Sequence, residues 1–174
     1  MERKIIDPKE FISSSSGLWS KQWLLLTSGD FKSNKYNTMT VGWGSIGTMW
    51  NKPFAQVVVR PTRFTYEFME KYDTFTLTAF PEKFKDQLKY LGVVSGRDED
   101  KILKSGLTVI ESEKVSAPGF EEAELIIECK KIYWDDLKSD NFIDDSIEGS
   151  YPEKDYHRIY FGEILSINGT ENYK

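Results

Sequence analysis

The sequence predicts a mostly β fold with short helices, closed into an antiparallel barrel, and three observations carry that prediction. Roughly six segments show the β-branched and aromatic enrichment or the period-two alternation of strands. Short helical patterns fill only the connections between them. No strand-helix alternation runs through the whole length, which argues against a parallel sheet. At 174 residues, with no internal repeat, low-complexity stretch or linker, residues 1–174 are expected to form one domain.

Each element has a local reason. Asp7-Pro8-Lys9-Glu10 has the form of a helix start, with Asp as N-cap, Pro at the first helical position and Glu three residues on, so a short helix is expected. The serines of 13–16 break regular structure. Residues 22–27 read as a first strand ending at Ser28-Gly29-Asp30, and 32–36 as a polar, exposed loop. Residues 37–45 are expected as one strand at a binding surface, where Gly42 and Gly44 leave room for something to approach the backbone. Asn51-Lys52-Pro53 marks a turn before the clearest buried strand, 54–60, which Pro61 stops.

Thr62 can cap a short helix with Phe64 and Phe68 at helical spacing. Residues 74–80 alternate strictly, threonines on one side and Phe75, Leu77 and Ala79 on the other. From Pro81 a helix carries Phe84, Leu88 and Leu91 on one stripe, and Gly92 is placed to end it. A loop over 93–101 contains Ser95-Gly96-Arg97-Asp98. Residues 107–115 and 125–134 read as strands separated by a turn at Pro118-Gly119. Residues 135–155 hold eight acids against two lysines and read as a solvated excursion with a helical turn or two. The last strand is 156–167.

Composition narrows the function. With 39% hydrophobic and 14% aromatic residues the chain can build a core, while 29% charged residues and a mean hydropathy of -0.50 fit a soluble surface. A net charge of -5 and a pI near 5.1 work against nucleic-acid binding, which draws on basic surface. The lone Cys129 excludes an intrachain disulfide, and one cysteine with one histidine cannot supply the usual zinc site. Cys129 itself reads as a small core residue. With no signal-like apolar run and no long apolar span, a cytoplasmic protein without a membrane segment is expected. No Gly-x-Ser-x-Gly elbow is present.

The most informative residues are Asn37-Thr38-Met39-Thr40-Val41-Gly42-Trp43 and, further on, Arg60-Pro61-Thr62-Arg63-Phe64-Thr65. Two guanidiniums and two hydroxyls in one turn at a helix start suit a phosphate dianion, and a neighbouring strand edge with apolar walls suits a flat ring. Flavin mononucleotide (FMN) combines the two. A competing reading pairs Arg60 and Arg63 with acids such as Glu67 on an exposed helix. Asn37 could equally hold the backbone, Trp43 could be core or dimer interface, and Ser95-Gly96 could be an ordinary turn.

In order and spacing these motifs resemble the flavin reductase-like, FMN-binding split-barrel proteins, and among them the flavoredoxins. The likeness covers nearly the whole chain. Besides the two motifs above it rests on Lys52-Pro53, Thr76-Leu77-Thr78, Ser95-Gly96, Glu128-Cys129 and Asp155-Tyr156-His157 leading to Gly162-Glu163. The resemblance implies a six-stranded antiparallel split β-barrel that forms a homodimer with one FMN per subunit near the interface. It implies backbone of Thr38, Met39 and Thr40 along the ring, Trp43 continuing that wall, and Arg60, Arg63, Thr65, Ser95 and Gly96 about the phosphate and its chain. It also places His157 on the nicotinamide side, where a flavin reductase would receive NAD(P)H. There the family has Gly-Asp-His, whereas this chain has Asp155-Tyr156-His157. Two functions stay open: an FMN-dependent oxidoreductase fed by NAD(P)H or a redox protein and passing electrons to a small acceptor, and a flavin-holding carrier with no NAD(P)H site. A barrel for some other small ligand is the third.

Overall fold

The computed structural model describes residues 2–174. Its strands are β1 (Lys4–Ile5), β2 (Leu24–Asp30), β3 (Lys35–Val41), β4 (Gly44–Met49), β5 (Lys52–Val59), β6 (Thr74–Ala79), β7 (Val109–Ile110), β8 (Gly119–Phe120), β9 (Leu125–Asp136) and β10 (Arg158–Gly169). The helices are α1 (Phe64–Lys71), α2 (Lys85–Val93) and α3 (Lys101–Ser105). One sheet runs in the order β3-β2-β6-β9-β10-β5-β4, with β1 added to the end of β10. Every pairing is antiparallel. The expected mostly-β, antiparallel fold is therefore present. The sheet has eight strands where about six were expected, because β1 adds a short piece and the single strand expected over 37–45 divides into β3 and β4.

That division makes the barrel split. The two strands at the ends of the path, β3 and β4, are consecutive in the chain, share no ladder, and are joined only by Gly42 and Trp43. The sheet curls so that alternate residues of the long strands meet in one cluster: Leu24 and Leu26, Val57 and Val59, Phe75 and Leu77, Ile127 and Cys129, Tyr160 and Ile164. A second cluster lies outside the sheet, where Leu25 and Ile126 meet Leu88 and Leu91 of α2 and Ile102 of α3. Burying each α2 leucine contributes about 1.5–3 kcal/mol. That exceeds the roughly 1 kcal/mol cost of Gly92 inside the same helix.

Several local expectations change. Asp7-Pro8-Lys9-Glu10 makes one turn, Glu10 N–H to the Asp7 carbonyl at 2.8 Å, instead of a helix; the chain turns helically only at Leu18–Gln22, and there as a π-helix. Gly92 does not end its helix: a Cβ there would lie 3.1 Å from Thr40 Cβ, so its bareness lets α2 settle on β3. At Gly44 the close neighbour is the Trp19 ring, 2.4 Å from a notional Cβ, so core packing explains that glycine. Residues 107–115 supply only the two-residue β7, which pairs with β8. No described helix is long and apolar enough to cross a membrane.

Candidate functional site

Because β3 bonds only to β2, alternate residues leave their N–H and C=O groups on a free edge. A cleft of about 190 Å³ opens there, lined by Met39, Thr40 and Trp43 on one side and Arg60, Arg63 and His157 on the other. A recess of about 590 Å³ lies on the far side of the Arg63-Phe64 turn, lined by Asn37, Phe64, Gly96 and Lys101. A larger depression of about 680 Å³ between the N-terminal segment and the β4–β5 hairpin contains none of the expected site residues. The smaller cleft is the better candidate, because charge and an open strand edge converge on it.

The two arginines of the turn have separate fates. Arg60 Nη1 lies 2.6 Å from Asp155 Oδ1, its Nη2 donates to the Ser150 carbonyl at 2.7 Å, and its guanidinium sits 5.0 Å from the centre of the Tyr151 ring. The hydrogen bond from Arg60 holds the Asp155 carboxyl below its ordinary pKa. Arg63 is exposed, donates only to the Gly92 carbonyl at 3.2 Å, and has no carboxylate within ion-pair distance among the described residues. Glu67, the acid considered for either arginine, pairs instead with Arg97 at 2.6 Å.

Lys101 was not singled out in the sequence. Asp100 caps α3 by accepting from Leu103 N–H at 3.0 Å, which sets Lys101 at the first helical position. Its side chain is buried, and Nζ donates to the carbonyls of Leu91 and Val94 at 2.8 and 2.9 Å, at the C-terminal end of α2. Among the described residues no carboxylate lies within ion-pair distance of it. Burial first, and Arg63 second, push its pKa down to about 8. Glu99 and Asp100 also line the recess, but Glu99 accepts from Tyr90 at 2.5 Å and pairs with Lys104, while Asp100 serves as the cap.

Other expected site residues are structural ties. Asn37 is buried and donates to Thr65 Oγ1 at 2.8 Å and to the Thr38 carbonyl at 3.3 Å, fastening β3 to α1. The Thr38 hydroxyl donates to the Leu26 carbonyl at 3.1 Å and so points away from the cleft. Gly96 fits because a Cβ would stand 2.4 Å from Asn37 Oδ1, and Ser95 Oγ accepts from Arg97 N–H at 3.2 Å. Asn37, Thr38, Thr65, Ser95 and Gly96 thus lie outside the cleft proper, whereas Met39, Thr40, Trp43, Arg60, Arg63 and His157 share it.

Trp43 is not core: it is 53% exposed, its ring 5.1 Å from that of His157. His157 is buried, with Nδ1 2.9 Å from Tyr151 Oη; burial first, then Arg60, depress its pKa to about 4. The acidic excursion is therefore more than solvated surface. Tyr151 is 3% exposed and meets the rings of Phe142 and Tyr156, so the segment folds back and sets Asp155 and Tyr151 beside the cleft. Phe142 and Tyr151 within the acidic run, with Tyr156 just after it, were the legible signal. No cluster of ligands suited to a metal ion occurs among the described residues.

The chain can now be set beside known proteins. An uncharacterized protein of Archaeoglobus fulgidus is 26% identical over 167 residues, covering 95% of this chain and 81% of that one. A flavoredoxin from Methanosarcina acetivorans superimposes with a TM-score of 0.65 at 25% identity, covering 88% of this chain and 70% of the other. An FMN-binding domain of a flavin reductases-like enzyme from Shewanella baltica gives a TM-score of 0.69 at 16% identity, covering 97% and 77%. The sequence model of the flavin reductase like domain matches residues 18–173, nearly the whole barrel with its split and cleft, and the chain belongs to that family.

Proposed function

We propose that this protein is an FMN-binding oxidoreductase of flavin reductase or flavoredoxin type. One observation carries the reading: Arg63, in the cleft beside a free strand edge, and Lys101, in the recess lined by Asn37 and Gly96, are two cations without carboxylate partners among the described residues. An uncompensated buried ammonium is costly, and a dianion is the partner that would make both charges favourable. The residues therefore fit FMN. Arg63, Lys101 and the first-turn amides of α1 would hold the phosphate, with Asn37, Thr65, Ser95 and Gly96 shaping that end. Edge groups of Thr38, Met39 and Thr40 would meet the polar edge of the ring, and Trp43 would cover it. When bound, FMN supplies the hydride and electron chemistry. The chain's part is to bind, orient and shield, and it needs no catalytic acid or base.

The electron donor is NAD(P)H or a redox protein. In the first case His157 faces the nicotinamide. A carrier without its own NAD(P)H site is the second reading, and one observation favours it: Asp155, in the place of the family's glycine, ties the excursion to Arg60 at the mouth of the cleft. Absorption spectra settle both questions. FMN-loaded protein should be yellow and bleach on anaerobic addition of NADH or NADPH; a flavin band that persists supports the carrier, and failure to bind added FMN refutes the flavin reading.

The proposed homodimer is supported by an exposed aromatic face, on which Trp50 lies 6.0 Å from Tyr133 and 6.2 Å from Phe161 between ring centres. Trp50 and Tyr133 are 56% and 45% exposed there, too much aromatic surface to leave in water without a partner. Light scattering should give twice the chain mass, and Trp50→Ser should shift it toward one; a monomeric wild type would contradict this.

A further inference from the structure

Resting on the cleft just described, we propose that Tyr151 is a positioning residue that fixes the tautomer of His157, so that the imidazole presents Nε2–H to the Met39–Trp43 cleft as a neutral donor for a carbonyl or carboxamide oxygen.

Tyr151 follows the short helical turn Asp145–Ser150 and is held from several sides. Phe142 stacks on its ring at 5.9 Å, Tyr156 meets it at 5.1 Å, and the Arg60 guanidinium, tied by Asp155, covers it at 5.0 Å. Its hydroxyl is thereby set 2.9 Å from His157 Nδ1. A phenol O–H is a better donor than an imidazole N–H, and an imine nitrogen is a better acceptor than a phenol oxygen, so the proton of this bond stays on Tyr151. The ring proton of the neutral imidazole then resides on Nε2. Among the described residues that nitrogen has no hydrogen-bond partner, and it is not among the buried polar atoms left without one, which leaves it open to the cleft that His157 lines.

The surroundings keep the ring neutral. Arg60 and Arg63 oppose a second proton, and Asp155, the one acid that favours it, is engaged by Arg60. The depressed pKa of about 4 agrees with a group that serves as a neutral donor at physiological pH. The acidic excursion thus acts through one hydroxyl on a residue of the cleft.

His157 is the single histidine of the chain, so its ring nitrogens can be read without assignment ambiguity in protein labelled with 15N-histidine. In the wild type at neutral pH, Nε2 should carry the proton and Nδ1 should show the shift of an imine nitrogen accepting a hydrogen bond. In Tyr151→Phe the Nδ1 signal should move to the unbonded imine position, the tautomer ratio should fall by roughly fivefold, and the imidazole pKa should rise. An Nδ1–H tautomer in the wild type overturns the proposal, as does a Tyr151→Phe protein of native amide dispersion whose two ring signals are unmoved. If that variant does not fold, the wild-type tautomer alone decides. FMN titration of the same samples separates the two readings. Loss of FMN binding with Nε2–H intact removes the flavin cleft and spares Tyr151, whereas FMN binding with Nδ1–H present removes only the role of Tyr151.

Discussion

Two clusters in this molecule treat positive charge in opposite ways. At Arg158, Nε and Nη2 reach the two oxygens of Asp136 at 2.7 and 2.8 Å, and Nη1 reaches Glu70 at 2.8 Å, while the guanidinium lies 3.9 Å from the Trp134 ring centre. Tyr160 completes the cluster by donating to Glu70 at 2.6 Å. At Arg63 and Lys101 the donors meet only backbone carbonyls. The first cluster closes on itself, and its strong hydrogen bonds push the Arg158 pKa up and the Asp136 pKa down. The second is incomplete as it stands. Arg3, Lys85 and Lys131 also donate to backbone carbonyls without a carboxylate in ion-pair range among the described residues, so what sets Arg63 and Lys101 apart is their place by the candidate site, and the partner proposed for them is a ligand.

The largest effect should come from breaking the closed cluster. Arg158→Ala should lower unfolding stability by about 2–3 kcal/mol, below the range for a fully buried pair because Asp136 is 46% exposed. Urea denaturation measures it, and FMN affinity below the transition should be little changed. Arg63→Ala should do the reverse, weakening FMN by about 1.5–3 kcal/mol with stability within roughly 0.5 kcal/mol of wild type. If the two variants trade effects, the contrast between the clusters is wrong.

Smaller effects appear against pH. Lys101 is pushed down to about 8 in the folded protein against an ordinary 10.5, so above pH 8 the unfolded chain binds more protons and stability without FMN should rise up to that ordinary value. FMN affinity should fall over the same rise, as the ammonium proposed to bind the phosphate is lost. Titrations at several pH values check both slopes, and Lys101→Met should flatten them. His157, lowered from 6.5 to about 4, should cost stability as pH falls through that interval, again because the unfolded state holds the extra proton. His157→Asn should remove this acid slope and keep FMN binding, with only the NAD(P)H-dependent rate reduced.

What could be read from the sequence followed the range of the interactions. The alternation of 74–80 and the apolar run of 54–60 exposed the inner strands directly, since the period-two pattern is local. The motif around Met39 and Trp43 and the Arg60–Thr65 turn pointed to the same cleft, which lies where the two terminal strands fail to pair. The Arg60–Asp155 pair spans 95 positions, and no local pattern announces it. Lys101 escaped notice because Arg97-Asp98-Glu99-Asp100-Lys101 reads as a solvated charged loop, and only the docking of α3 on α2 buries its ammonium. The break at Gly42-Trp43 was hidden for a similar reason: either side reads as strand, and the barrel's closure decides where pairing stops.

The most direct test is to titrate the protein with FMN and with riboflavin, the same ring and chain without the phosphate, following flavin fluorescence. FMN should bind at least tenfold more tightly than riboflavin, and Arg63→Ala should erase most of that difference while leaving riboflavin binding unchanged. Equal affinity for the two flavins, or a difference that persists in Arg63→Ala and Lys101→Met, would contradict the assignment of these cations to a phosphate.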